Sequence, residues 1–342
     1  MADQTNDRKL EHIVAIKNDP ATDRQGNHFD AIKLTHRALP EISLDEVDTR
    51  CEFLGHTLSF PMLISSMTGG DHKLVKDINA RLAQAAQQTG VAMAVGSQRV
   101  MFSNPESRSS FELRHLAPDV PLIGNLGAVQ LNYGLGVEAA RQAVDVLQAD
   151  ALYLHANPLQ EAIQPEGDTN FSSLEEKIQC LTSSLDVPVF LKEIGCGLSP
   201  QDIELGLRAG VRVFDVAGAG GTSWSRIEHH RRHDGSDIGL HFQDWGLTTP
   251  QALDMAAPYL ERATIIASGG LRNGIDMVKS VILGASVCGL ANPLLRPAMH
   301  STEAVVAEIE SIKAVFRTAM FLLGVSNVSE LRNNRALIIS TP

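Results

Sequence analysis

Three groups of residues have the types and spacing to do chemistry. His155-Ala156-Asn157-Pro158-Leu159-Gln160-Glu161 closes an apolar run with one imidazole, two amides and one carboxylate. A lone carboxylate among amides is a poor zinc site, but it suits Mg2+, which takes one or two carboxylates and completes its shell with water and substrate phosphate. Lys192 interrupts the apolar run Val189-Phe190-Leu191-Lys192-Glu193-Ile194-Gly195. A lysine there is costly unless it is paired or stands at the mouth of a cavity. Three readings stay open: a general-base or Schiff-base amine, a cation beside an anionic or electron-rich cofactor ring, or a snorkelling structural residue. The third group is rich in glycine: Gly218-x-Gly220-Gly221-Thr222, Ser268-Gly269-Gly270-Leu271-Arg272 and Gly289-Leu290-Ala291-Asn292. Each alone could be a tight turn, but together they favour a phosphorylated cofactor held on backbone N–H groups and a helix N-terminus. Arg8, Lys9 and His12 near the start, with Arg99, supply cations for an anionic substrate head.

The elements that must position these groups follow from the apolar runs. Short runs rich in Val, Ile, Leu and Ala begin at Phe60, Val91, Pro121, Ala151, Pro188, Arg212, Ala263 and Ser286, and most end in Gly, Asn or Ser. Helical stripes separate most of them. Leu74, Ile78, Leu82 and Ala85 share one face behind a possible Asp71 N-cap, with Gly90 as the stop. Similar stripes run through Val137, Ala140, Val144 and Leu147, and through Leu174, Ile178 and Leu181. Eight near-continuous apolar strands alternating with helices predict an α/β fold closed into a (β/α)8 barrel as one domain over 1–342, with a core at 60–324. An open doubly wound sheet fits less well, because the first strand ends in Met67-Thr68-Gly69-Gly70 rather than in G-x-G-x-x-G. If the fourth strand continues to Asn157, His155 and Asn157 face the same way, with Gln160 and Glu161 on the loop above.

An N-terminal extension (1–59), an insert after the sixth strand (226 to about 246) and a tail (325–342) lie outside the repeat. The insert's run His229-His230-Arg231-Arg232-His233 reads as a solvated or lid loop, since no acidic or Cys partner flanks it at metal-ligand spacing. Val305, Ile309, Ile312 and Phe316 mark a closing helix over 302–324.

Composition removes other classes. The 342 residues carry a net charge of -11 and 5% aromatics, which disfavours nucleic-acid and anionic-membrane partners. The opening MADQTNDRKLEHIV has no apolar signal core, and the longest uncharged stretches are broken by Gly, Pro, Asn and Gln. Four cysteines with no C-x-x-C pair suit buried, idle thiols in a cytoplasmic protein.

Taken in order, the motifs resemble one family. They are R-K-x-x-H at Arg8 to His12, S-S-M-T-G-G at Ser65 to Gly70, G-S-Q-R at Gly96 to Arg99 and N-L-G-A at Asn125 to Ala128. H-x-N-P-L-Q-E at His155 to Glu161, K-E-I-G at Lys192 to Gly195, A-G-x-G-G-T-S-W at Ala217 to Trp224 and S-G-G-L-R at Ser268 to Arg272 follow. The set is similar to the type 2 isopentenyl-diphosphate delta-isomerases, FMN-dependent (β/α)8 enzymes that interconvert isopentenyl and dimethylallyl diphosphate. The resemblance implies FMN contacts at Met67, Thr68, Gly69, Ser97, Asn125, Lys192 and Thr222. It implies a cofactor phosphate at Gly270, Leu271, Arg272, Ala291 and Asn292. Arg8, Lys9, His12, Arg99, His155, Asn157 and Gln160 match substrate-binding positions, and Glu161 matches the Mg2+ position.

On this resemblance Gln160, His155 and Lys192 are the catalytic residues and reduced FMN is the acid and base, with NADPH needed only to reduce it. The resemblance also suggests a homo-oligomer, tetramer or octamer. Two positions depart from the family pattern: Thr248-Thr249-Pro250 stands where Pro-Thr is usual, and Asn292 replaces a commonly apolar residue. Two other readings remain. A hydroxy-acid oxidase would need a His-x-x-Arg base and clamp near the seventh strand, and a nucleotide dehydrogenase would need a cysteine after the sixth. A non-catalytic flavin- or phosphate-binding barrel would leave Lys192, the 155–161 cluster and R-K-x-x-H without a task.

Overall fold

The computed structural model describes residues 11–339 except Ile13, Gln25, Asn27 and Thr68. Two antiparallel strands, β1 (Cys51–Phe53) and β2 (His56–Leu58), come first. The barrel strands are β3 (Met62–Ile64), β4 (Ala92–Ala94), β5 (Leu122–Gly127), β6 (Ala151–His155), β7 (Val189–Lys192), β8 (Val213–Asp215), β9 (Thr264–Ser268) and β10 (Val287–Leu290). They pair in chain order, all parallel, and β10 closes on β3. The predicted eight-stranded closure is therefore the observed one, and the open-sheet alternative is excluded.

The strands are apolar on both faces because both are covered. Inward residues Leu63, Ala92, Ala94, Ile123, Ala151, Tyr153, Phe190, Ile266 and Val287 pack with Phe53 and Leu58 of the β1–β2 hairpin into an inner core. The rings of Phe53 and Phe190 lie 6.2 Å apart, so the hairpin of the N-terminal extension plugs the barrel floor. The opposite end, where the strands finish in polar residues, remains for chemistry.

Outward residues pack under the helices. The helix Thr302–Leu323 buries Val305, Ile309, Ile312 and Phe316 as the spacing predicts. Lys73–Thr89 ends at Gly90 as expected, but His72, not Asp71, is its N-cap; Asp71 instead pairs with Lys76 at 2.6 Å. The insert is more ordered than a solvated loop. Trp224–Arg231 and Ile238–His241 are helical, and Glu228 inside the first is fully buried. Burial of the cysteines is also incomplete, since Cys180 is exposed on the helix Leu174–Ser184. No helix among the described residues is long and apolar enough to cross a membrane.

Candidate active site

The C-terminal ends of the strands open into a cavity of about 350 Å3, within the range of small-molecule sites. Every described residue assigned above to a cofactor, substrate or metal contact lines it, with one exception. Gly69 is turned away, its α-carbon so close to the Phe111 ring that a side chain would collide. Arg8, Lys9 and Thr68 lie outside the described residues.

One wall is a backbone cradle. Gly269 and Gly270 follow β9 with φ of +92° and +77°, a region side chains rarely adopt, and a Cβ on either would come within 2.1 Å and 2.6 Å of the Gly218–Gly220 backbone. The loops after β8 and β9 thus approach main chain to main chain. Arg272 braces them by donating to the carbonyl oxygens of Gly270 (3.1 Å), Gly220 (3.0 Å) and Arg24 (2.8 Å). The helix Asn292–His300 begins at the same end, where its N-terminal N–H groups can receive an anion. Asn292 Nδ2 donates to Asp23 at 2.9 Å, and burial raises the Asp23 carboxyl above its usual range despite nearby Arg272. At Thr248, the departure from the family pattern yields a capping box with Gln251. The Thr249 hydroxyl then donates to the carbonyls of Ser268 (3.0 Å) and Gly269 (2.6 Å), tying the next helix to the cradle.

At the cavity floor, Lys192 Nζ lies 2.8 Å from Asp215 Oδ2 and donates to Ser268 Oγ at 3.0 Å. The lysine is 5% exposed, so its charge sits in a poorly screened region. Asn125 donates from Nδ2 to Ser66 Oγ (2.9 Å) and the Val95 carbonyl (3.1 Å), which leaves its Oδ1 to accept from His155 Nδ1 at 2.7 Å.

The 155–161 cluster differs from expectation in one respect. β6 ends at His155, the chain turns at Asn157, and Pro158 opens the helix Pro158–Ile163, so Gln160 and Glu161 stand on a helical turn rather than a loop. Asn157 Nδ2 donates to Gln160 Oε1 and Glu161 Oε1, both at 3.0 Å. Glu161 Oε2 accepts from Gln164 Nε2 (2.5 Å) and the Asp168 backbone N–H (2.7 Å). Neutral donors thus orient a buried carboxylate, while the buried Asn157 Oδ1 has no hydrogen-bond partner. A hard cation taking oxygen ligands fits this pair.

Three carboxylates that the motifs do not reveal complete the site. Asp215 holds Lys192. Asp168 accepts from Arg99 Nη1 (2.7 Å) and Gln130 Nε2 (3.0 Å), so it couples the Arg99 cation to the Glu161 side of the cavity. Glu228 accepts from Gln160 Nε2 (2.7 Å) and Arg231 Nη1 (2.6 Å) and lies 3.1 Å from His12 Nε2. Burial alone would raise the Glu228 carboxyl, but His12, Arg231 and Gln160 outweigh it and hold it near 2. The N-terminal segment is locked over the insert helix by this contact, by Glu11 with Arg231 (2.8 Å) and by Asp19 with Arg226 (2.6 Å).

A barrel with a glycine cradle at its last strands and a buried lysine at its floor is the scaffold expected of a flavin enzyme. The model of the FMN-dependent dehydrogenase family matches residues 3–102 and 128–338. Isopentenyl-diphosphate delta-isomerase from Hydrogenovibrio crunogenus is 58% identical over 334 residues, covering 97% of each chain. The enzyme of the same name from Paracoccus zeaxanthinifaciens is 57% identical over 97% of this chain and 96% of its own. The chain belongs to the FMN-dependent dehydrogenase family, among the isopentenyl-diphosphate delta-isomerases.

The family's fold extends to distant members. A flavocytochrome b2 variant with benzoylformate superposes with a TM-score of 0.65 at 19% identity, covering 98% of this chain and 82% of its own. A mandelate oxidase variant with an FMN adduct gives 0.61 at 20%, covering 94% and 90%. FMN is the family's cofactor, and the glycine cradle with the Lys192 floor fits its phosphate and ring ends.

Proposed function

We propose that this chain interconverts isopentenyl diphosphate and dimethylallyl diphosphate in the cytoplasm as a homo-oligomer, with Mg2+ bound to the diphosphate and NADPH serving only to reduce FMN. The observation that carries the reading is that one cavity is lined both by the glycine cradle and by His155, Asn157, Gln160, Glu161 and Arg99, which supports a cofactor phosphate on the cradle and a diphosphate with its cation at the other wall.

Moving an isolated double bond requires a proton gained at one carbon and lost at another, with no carbonyl to spread charge. Side-chain acid-base catalysis contributes only ~10²- to 10⁴-fold. Reduced FMN, when bound, supplies a proton donor and acceptor at its ring and an electron-rich face for a cationic transition state. Lys192, paired with Asp215 at the floor, would stabilise negative charge on the ring. Gln160 is anchored between Asn157 and Glu228 and lines the cavity, where it would help to orient the substrate. His155 is fixed by its Nδ1 contact with Asn125 Oδ1 and would orient the substrate. Arg99, His12, Arg8 and Lys9 bind the diphosphate, and Glu161 with Asn157 Oδ1 would hold Mg2+ against it.

Hydroxy-acid oxidation is disfavoured because the segment after β9 reads Ser-Gly-Gly-Leu-Arg, without a histidine, and Arg272 there is spent on backbone carbonyls. Light- or NADPH-reduced enzyme is expected to isomerise the substrate, whereas stably oxidised enzyme without reductant is not. Turnover by the oxidised form would overturn the mechanism.

A further inference from the structure

Lys192 is held by a group that never touches the cavity. Lys192 and Asp215 end adjacent parallel strands as Cα partners, so their side chains rise on the same face of the barrel. Asp215 is fully buried and its oxygens are shared out: Oδ2 takes Lys192 Nζ (2.8 Å) and the Tyr153 hydroxyl (3.1 Å), and Oδ1 takes the Ser268 hydroxyl (2.5 Å) and the Ala217 N–H (3.2 Å). Burial and the adjacent carboxylate push the Tyr153 phenol well above its ordinary range, so it remains a donor. Ser268 Oγ closes a triangle, since it also accepts from Lys192 Nζ at 3.0 Å.

We propose that Asp215 is a positioning residue for the flavin: acting through Lys192, it pins the ammonium at the cavity floor and so sets how strongly the site prefers reduced over oxidised FMN. The inference rests on the reading that Lys192 faces the flavin ring. A buried ammonium without a counter-ion either withdraws to water or loses its charge. Four rotatable bonds give the lysine ample freedom to withdraw. An amide at position 215 keeps the volume and one of the two acceptor oxygens, turns the other into a donor, and cannot balance the charge.

The test is a redox titration of FMN-loaded wild type, Lys192→Met, Asp215→Asn and the double variant against indicator dyes. The potential reports the ratio of affinities for reduced and oxidised flavin. Asp215→Asn is expected to lower that ratio on the order of tenfold, about 30 mV for a two-electron couple. The direction should match Lys192→Met, and the double variant should fall no further than Lys192→Met alone. An unchanged potential in Asp215→Asn beside a shifted Lys192→Met makes Asp215 merely structural and overturns the inference. A ratio that rises also overturns it, because Asp215 would then only screen a charge that stays in place. An unchanged Lys192→Met is a different failure, which removes the reading of Lys192 itself and the inference with it. If Asp215→Asn does not load flavin, Ser268→Ala removes the hydroxyl shared by Nζ and Oδ1. A smaller fall in the same direction then supports the inference, and no change overturns it.

Discussion

Replacing Glu228 by Gln tests how the site is locked. Glu228 is fully buried, and its ionised form is favoured by His12, Arg231 and Gln160. Those partners win over burial and lower its pKa from 4.5 to about 2. A folded-state pKa below the unfolded one contributes stability that is complete above the unfolded pKa and is lost as pH falls through the folded one. The difference is worth about 3 kcal/mol at pH 7, falling to about 1 kcal/mol at pH 3. Glu228→Gln keeps the shape and one acceptor but loses the charge, so urea denaturation should place wild type above the variant by about 3 kcal/mol at pH 7 and about 1 kcal/mol at pH 3. A gap of the same size at both pH values, or none at pH 7, would refute the reasoning that His12, Arg231 and Gln160 hold an ionised carboxylate.

Glu193 should behave in the opposite sense. Burial raises it to about 7 against the pull of the Cys196, Gly195 and Ile194 N–H groups, so its folded pKa lies above the unfolded value and wild-type stability falls as pH rises from 4.5 through 7. Glu193→Gln is expected to be more stable than wild type by about 3 kcal/mol at pH 8 and equal to it at pH 4, read by denaturant melts. Gly270→Ala places a Cβ 2.6 Å from Gly220 at φ +77° and should purify with less than about a tenth of the wild-type flavin, read from its visible absorbance. Glu161→Gln should raise the Mg2+ concentration needed for half-maximal turnover by about tenfold or more while leaving flavin content unchanged, measured by a metal titration.

The barrel was legible because the strands are near-continuous apolar runs with polar ends, and their number, eight, favours closure. Lys192 was legible for the same reason: a charge inside such a run stands out. Asp215 breaks its run equally, yet its meaning depends on the register that sets it against Lys192. Glu228 could not be read at all, because its partners His12 and Gln160 lie 216 and 68 residues away in the chain and only the docked N-terminal segment brings them together. The misplaced loop at Gln160 and Glu161 had a local signal in Pro158, which is disposed to open a helix.

The central claim is isomerisation on a flavin that is reduced but not consumed. Purified protein incubated anaerobically with FMN, NADPH, Mg2+ and isopentenyl diphosphate should form dimethylallyl diphosphate over many turnovers, with NADPH loss stopping at one equivalent per flavin. NADPH oxidised in step with product, or no product from fully reduced enzyme, would contradict it.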